Sequence, residues 1–155
     1  MHSSVPQTLA NLDLSGTGYC ASLNCRRAAR AVTRVYDMAL QDAGIRSTQF
    51  AILVAIAKIQ PASISALGEV LVIDRSTLTR SLRLLQKDRM ISISKRAAKR
   101  QRFLELTPHG EKILERSVPL WRAAHAKFVA TVGSEYWLKL RFELEALTHT
   151  TLAMS

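Results

Sequence analysis

The chain is poor in the residues that make long loops, with 6 glycines and 4 prolines in 155 positions. It carries no internal repeat and no low-complexity linker, so few extended irregular segments are expected. Cysteine is limited to Cys20 and Cys25, and a disulfide scaffold is not needed. No run approaches the ~20 apolar residues that cross a bilayer. Met1 to Leu14 is polar and lacks an apolar signal core, so a cytoplasmic protein with no membrane contact is expected. His2, His109, His125 and His149 stand in no metal-ligand spacing with cysteine or carboxylate. Glycine-rich phosphate loops, nucleophile elbows and paired carboxylates are missing too. Neither a metal, a cofactor nor an enzymatic activity is expected.

Acidic residues are also scarce. There are 12 Asp and Glu against 22 Lys and Arg, a formal charge of +10. A homodimer would double that charge, and the matching partner is a polyanion. A soluble basic protein with no special partner would share the same total, so the placement of the charge decides more.

Hydrophobic residues make up 48% of the chain, enough for one domain with a real core. Most of the chain carries a 3.6-residue period, which predicts a mainly helical fold. Residues 1–18 read as a flexible arm, with a short helical turn around Leu9–Leu14. A first helix is expected from about Tyr19 to Ala43, stopped by Gly44. A second follows Ser47 or Thr48, is apolar nearly all round, and ends at Pro61. Ser63 caps a short third helix, Ile64 to Val70, and Asp74 caps a fourth, Arg75 to Asp88. Ile91–Lys95 and Arg102–Leu106 alternate like two strands. Thr107 and Pro108 open a long fifth helix, in which Pro119 should make a kink. Gly133-Ser134 breaks the pattern, and a sixth helix is expected from about Glu135 to Leu152.

The fourth helix has two opposed faces. Leu78, Leu82 and Leu85 recur at core spacing, while Ser76, Arg80, Arg83 and Lys87 repeat on the other side. Arg75, Thr77 and Thr79 crowd its start, where small hydroxyls allow close approach to a groove wall and free N–H groups favour phosphate. An ordinary solvated basic face would look similar on this helix alone. The hairpin that follows argues against it: Lys95, Arg96, Lys99, Arg100 and Arg102 place five cations in eight residues, with no acid among them. Crowding like charges on a hairpin tip is unfavourable unless an anion neutralises them. Insertion into a minor groove is the natural use, a mobile solvated loop the plain alternative. A helix, a turn, a basic helix and a basic wing in that order point to DNA binding.

These pieces resemble the MarR family of winged helix-turn-helix regulators. The matching stretches are T-Q-F-A-I-L at Thr48–Leu53, L-G-E-V-L-V-I-D-R-S-T-L-T-R at Leu67–Arg80, L-L-Q-K-D-R-M-I at Leu84–Ile91 and L-E-L-T-P-H-G at Leu104–Gly110. The resemblance implies a mainly α fold with a small β-wing, the winged helix-turn-helix lobe being inserted between dimerisation helices. In this sequence that means a dimerisation helix at 19–45, a DNA-binding lobe at 46–107 and further dimerisation helices at 108–153. It also implies a homodimer on a pseudo-palindromic double-stranded operator, acting as a repressor by blocking polymerase. Two positions depart from the family's pattern. Ala98 stands where an Asp usually braces the wing, and Arg89 stands where a Gly usually precedes the first wing strand. If the backbone at Arg89 is left-handed, a side chain there costs roughly 1 kcal/mol.

On the reader helix, Arg75, Ser76, Thr77 and Thr79 are expected at base edges or nearby phosphates. Arg80, Arg83 and the wing cations are expected on the DNA backbone. The sixth helix has a broad apolar side with Trp137, Leu140, Leu144 and Leu147, suited to a dimer interface or to an ordinary intrachain core. Arg27, Arg30 and Arg34 share one face of the first helix. They are either paired with acids and solvent, or part of a pocket for an anionic effector. Proteins similar to this one bind small aromatic acids near there, and Tyr36, Phe50, Trp121 and His125 could supply the walls.

On a continuous helix Cys20 and Cys25 would point ~140° apart, which disfavours a bond between them. Arg26 and Arg27 could activate Cys25, giving a redox-sensing variant of the same regulator, or both thiols are plain structural residues. A further alternative is an architectural DNA-binding dimer with no effector, which would bind any duplex about equally.

Overall fold

The structure is a computed structural model that describes residues 12–59, 62–95 and 102–154. The chain divides after Arg34 into two compact units. In the first, Thr17–Tyr19 form a single 3-10 turn ahead of helix α1, Ala21–Leu40. The continuous helix expected from Tyr19 is therefore interrupted: Cys20 closes the turn with ψ 117°. Polar side chains hold this entry. Thr17 Oγ1 donates to the Leu14 carbonyl at 2.9 Å, and Asn24 Nδ2 donates to the Gly18 and Cys20 carbonyls at 2.8 and 3.0 Å. Half of the helical turn expected at Leu9–Leu14 lies outside the described residues, and Leu12–Leu14 have no regular structure.

In the second unit α1 tightens into a 3-10 turn, Gln41–Ala43, which Gly44 ends at φ 75° as expected. Helix α2, Ser47–Lys58, starts under a cap from α1, because Asp37 Oδ1 accepts from both the N–H and the hydroxyl of Ser47 at 2.7 Å. Phe50, Ile52, Leu53, Ala55 and Ile56 are buried on several sides of α2, as its apolar sequence predicts.

Strand β1 (Ala62–Ser63), helix α3 (Ile64–Leu71), helix α4 (Arg75–Lys87), and strands β2 (Ile91–Lys95) and β3 (Arg102–Leu106) follow. The strands form one antiparallel sheet in the order β1-β3-β2, with Ile91 opposite Leu106 and Ala62 opposite Leu104. β1 has no sequence signature, since two residues cannot show an alternation. Ser63 does cap α3, its Oγ accepting from Ala66 N at 3.1 Å.

Two long helices complete the chain: α5, Pro108–Val132, and α6, Ser134–Leu152, joined at Gly133. Thr107 Oγ1 accepts from Gly110 N at 3.0 Å, the expected cap. Helical structure runs through Pro119 without a break.

The core lies among α2, α3, α4, the sheet and the adjoining ends of α1 and α5. Leu40, Leu53, Ile56, Leu67, Leu78 and Leu85 are all fully buried there. Each contributes roughly 1.5–3 kcal/mol relative to exposure. Helix α6 buries none of its residues fully. A helix-turn-helix, α3 then α4, followed by a two-stranded wing on a small sheet defines a winged helix-turn-helix fold.

Candidate nucleic-acid interface

Helix α4 is oriented by its leucines. Leu78, Leu82 and Leu85 are 0%, 3% and 0% exposed, which forces the opposite face outward. Its start is fixed by Asp74, whose Oδ1 accepts from Ser76 N at 3.0 Å, Thr77 N at 2.9 Å and Ser76 Oγ at 2.6 Å. These bonds, the Ser76 hydroxyl's above all, hold the Asp74 carboxyl well below the usual carboxylate range.

Arg75, Ser76, Thr77, Arg80 and Arg83 are exposed, and Thr79 is half-buried. Arg75, Ser76, Thr79, Arg80 and Arg83 line one shallow depression of about 470 Å³. Among the described residues no carboxylate pairs with the three arginines. The hydroxyls are partly committed: Ser76 donates to Asp74, and Thr79 donates to the Arg75 carbonyl at 2.6 Å. What they retain toward a ligand is acceptor capacity.

Both helices of the motif end in an unusual way. Val72, at φ 51°, and Arg89, at φ 56°, are the two non-glycine residues with positive φ among those described. Each follows a helix whose end is closed by a long backbone bond. Ile73 N donates to the Gly68 carbonyl at 3.0 Å, and Met90 N donates to the Leu85 carbonyl at 2.9 Å. The left-handed geometry considered for Arg89 is therefore present. That at Val72 has no signal in the sequence, because no glycine or asparagine marks it.

The wing is described at its base. Ser94 pairs with Phe103 and Lys95 with Arg102 in register. Arg96, Ala98, Lys99 and Arg100 lie outside the described residues. Phe103 and Leu104 are buried and anchor the hairpin.

A second feature brings together the four aromatic side chains of the expected effector set, but not its arginines. Tyr36, Phe50 and Trp121 border a cavity of about 430 Å³, with Val70 and Leu71 from the end of α3 on its wall. His125 is adjacent. It stacks on Trp121 with ring centres 5.1 Å apart and planes 6° off parallel. Tyr36 Oη and His125 Nδ1 are hydrogen-bonded at 2.8 Å, and burial pushes the Tyr36 hydroxyl pKa up. Trp137 of α6 meets the His125 ring edge-on at 6.0 Å.

The cation in this cavity wall is Lys58, at the C-terminus of α2. Sequence reasoning missed it, because a lysine in the last turn of a helix reads as a partner of the helix dipole. Arg27, Arg30 and Arg34 are exposed along α1. Cys20 and Cys25 are free and exposed; Cys20 precedes α1 and Cys25 lies on it, so the continuous-helix geometry assumed for the pair does not hold.

Comparison with known proteins places this geometry. The MarR family profile matches residues 45–97, from the start of α2 into the wing. The transcriptional regulator MosR of M. tuberculosis, in a structure with DNA, superposes with a TM-score of 0.80 at 34% identity. The match covers 88% of this chain and 98% of that one. BpsR of Bordetella bronchiseptica, whose DNA binding is regulated by 6-hydroxynicotinic acid, has TM-score 0.71 at 19% identity, covering 82% and 97%. MepR of S. aureus, in complex with DNA, has TM-score 0.71 at 17% identity, covering 86% and 97%. At these lower identities the two structures share the fold. No curated protein sequence matches the chain. The fold is that of a winged helix-turn-helix transcription regulator, and the chain belongs to the MarR family.

Proposed function

We propose that the chain is a homodimeric, sequence-specific regulator of transcription that represses by occupying a pseudo-palindromic operator. The observation that carries this reading is the outward face of α4. Three arginines, paired with no carboxylate among the described residues, flank small hydroxyls at a capped helix start, and a leucine stripe holds that face outward. The family and the DNA-bound MosR structure support it. In this reading Arg75, Ser76, Thr77 and Thr79 lie at base edges or nearby phosphates, the two committed hydroxyls accepting from base amino groups where they meet a base. Arg80, Arg83, Lys95, Arg96, Lys99, Arg100 and Arg102 hold phosphates.

Dimerisation is assigned to 19–45 and 108–153, and reading to 46–107. The apolar side chains left outward on α6 support this: Tyr136, Leu138 and Phe142 are 60%, 53% and 60% exposed. Two recognition helices would then meet the major groove about one turn apart, roughly 34–36 Å.

The effector reading is favoured by the Tyr36–Phe50–Trp121 cavity. Aromatic walls suit a planar ligand, and Lys58 on the rim suits a carboxylate. An effector would act by binding a DNA-incompetent dimer more tightly than a competent one.

Fluorescence anisotropy across a salt series tests the central reading. The probes are duplex from the gene's own upstream region and a scrambled duplex. A preference of about a thousandfold or more for the native duplex is expected. Equal affinity, with steep salt dependence on both, would replace the regulator with an architectural DNA-binding protein.

A further inference from the structure

The turn that closes the recognition helix meets the start of the long helix α5 at Thr107, which supplies both side-chain hydrogen bonds and one backbone hydrogen bond of the junction. Thr107 Oγ1 donates its hydrogen to the Arg89 carbonyl at 2.5 Å and accepts from Gly110 N at 3.0 Å. The Thr107 N–H donates to the Met90 carbonyl at 3.1 Å. Gly110 lets the two backbones touch, since a Cβ there would sit 2.0 Å from the Met90 oxygen. Arg89 and Met90 form the turn that closes α4, and Arg89 holds a positive φ that a side chain disfavours. A strained turn persists only where its surroundings over-determine it. Here the surroundings are Thr107 and the first turn of α5.

We propose that Thr107 is a positioning residue that, together with the buried Leu78, Leu82 and Leu85, fixes the tilt of α4 against α5 and thereby sets the half-site spacing the protein accepts. The inference rests on the dimeric reading above, in which α5 belongs to the dimer scaffold. The lever is long. α4 has 13 residues, about 20 Å at the usual helical rise, and it is clasped at the end away from Arg75. A tilt of about 10° around the clasp moves the Arg75 end by about 3.4 Å, the rise of one base pair. Two such helices on one scaffold double the change in span.

The cap and the clasp can be separated by chemistry. Thr107→Ser keeps both bonds. Thr107→Asp keeps the cap, since a carboxylate accepts from Gly110 N, but it has no hydrogen for the Arg89 carbonyl. Thr107→Val keeps the shape and loses both.

The probes are a duplex selected by the wild-type protein from a random pool, the same duplex with its half-sites moved by one base pair either way, and a scrambled duplex. Wild type and T107S should prefer the selected spacing. T107D, which loses one bond, should lose about tenfold there, the scale of one lost cap-like bond; T107V, which loses two, should lose at least as much, and both should bind the shifted duplexes as well as the selected one. The scrambled duplex reports any general effect of the added charge. Loss that is equal on all duplexes, or a wild-type spacing preference kept by either T107D or T107V, overturns the proposal. A wild-type protein that selects no paired half-sites overturns the dimeric reading, and the role of Thr107 with it.

Discussion

The lobe from α2 to β3 and the C-terminal helix α6 hold apolar side chains in comparable density and treat them differently. In the lobe they converge: Leu53, Ile56, Leu67, Leu78 and Leu85 are fully buried. On α6 several face outward, with Phe142 at 60% and Leu138 at 53% exposure, while Trp137 and Leu140 are half-buried. The lobe's core is closed within one chain, with Leu40 at the end of α1 and Ile113 on α5 completing it. α6 leaves apolar side chains whose burial needs another surface, which the proposed second copy supplies. On that proposal stability and assembly fall to different regions, and substitutions in each should separate them.

The largest effect is expected in the lobe. Leu78→Ala removes a fully buried side chain from the inner face of the recognition helix. It should cost about 2–5 kcal/mol in urea unfolding and abolish operator binding with it. An unfolding midpoint unchanged from wild type would mean that the core is elsewhere. Next comes the assembly face. Phe142→Ala should weaken self-association by about 2 kcal/mol, roughly thirtyfold in sedimentation equilibrium, while the far-UV spectrum of the lobe persists. If Phe142→Ala instead unfolds the chain with the dimer intact, the division between the regions fails.

Surface substitutions on α4 probe function without touching either core. Arg80→Ala should weaken binding to native and scrambled duplex alike, by about tenfold, and lower the salt slope by about 1. A loss confined to the native duplex would move Arg80 from phosphate to base.

Asp74 is the helix's pH-dependent element. Its native pKa lies below the unfolded value of 3.8, so its contribution is complete above that pH. The contribution is lost as the pH falls through the native pKa. The melting temperature of Asp74→Ala should therefore lie below that of wild type at pH 6, and the gap should narrow in acid below pH 3.8. A gap that stays constant with pH would assign the effect to packing.

The faces of α4 and the caps at Ser63, Asp74 and Thr107 were legible in the sequence because each depends on neighbours within one or two turns. What depended on distant partners was not. β1 exists because Ala62 and Ser63 lie beside Leu104 and Phe103, forty or more residues away in sequence. The break at Cys20 comes from side-chain bonds to backbone carbonyls that no periodicity encodes. The aromatic residues Tyr36, Phe50, Trp121 and His125 were expected near one another and do cluster. Lys58 was overlooked because its place on the cavity wall follows from the packing of α2 against α3 and α5.

The smallest effect discriminates between the two left-handed turns that bracket α4. Val72 is β-branched and 52% exposed, so burial returns little for a backbone conformation that costs roughly 1–2 kcal/mol. Val72→Gly removes that strain but loosens the unfolded chain, which takes back about 0.4–1 kcal/mol. A net gain of about 0.5–1 kcal/mol is expected, as a higher urea midpoint at unchanged slope. Arg89 is unbranched at Cβ, and its turn is clasped by Thr107, so Arg89→Gly should gain less. A gain at Arg89 equal to that at Val72 would mean that the clasp does nothing to hold the turn. A loss at Val72 would mean that its methyl groups pack against the α3–α4 turn strongly enough to outweigh the strain.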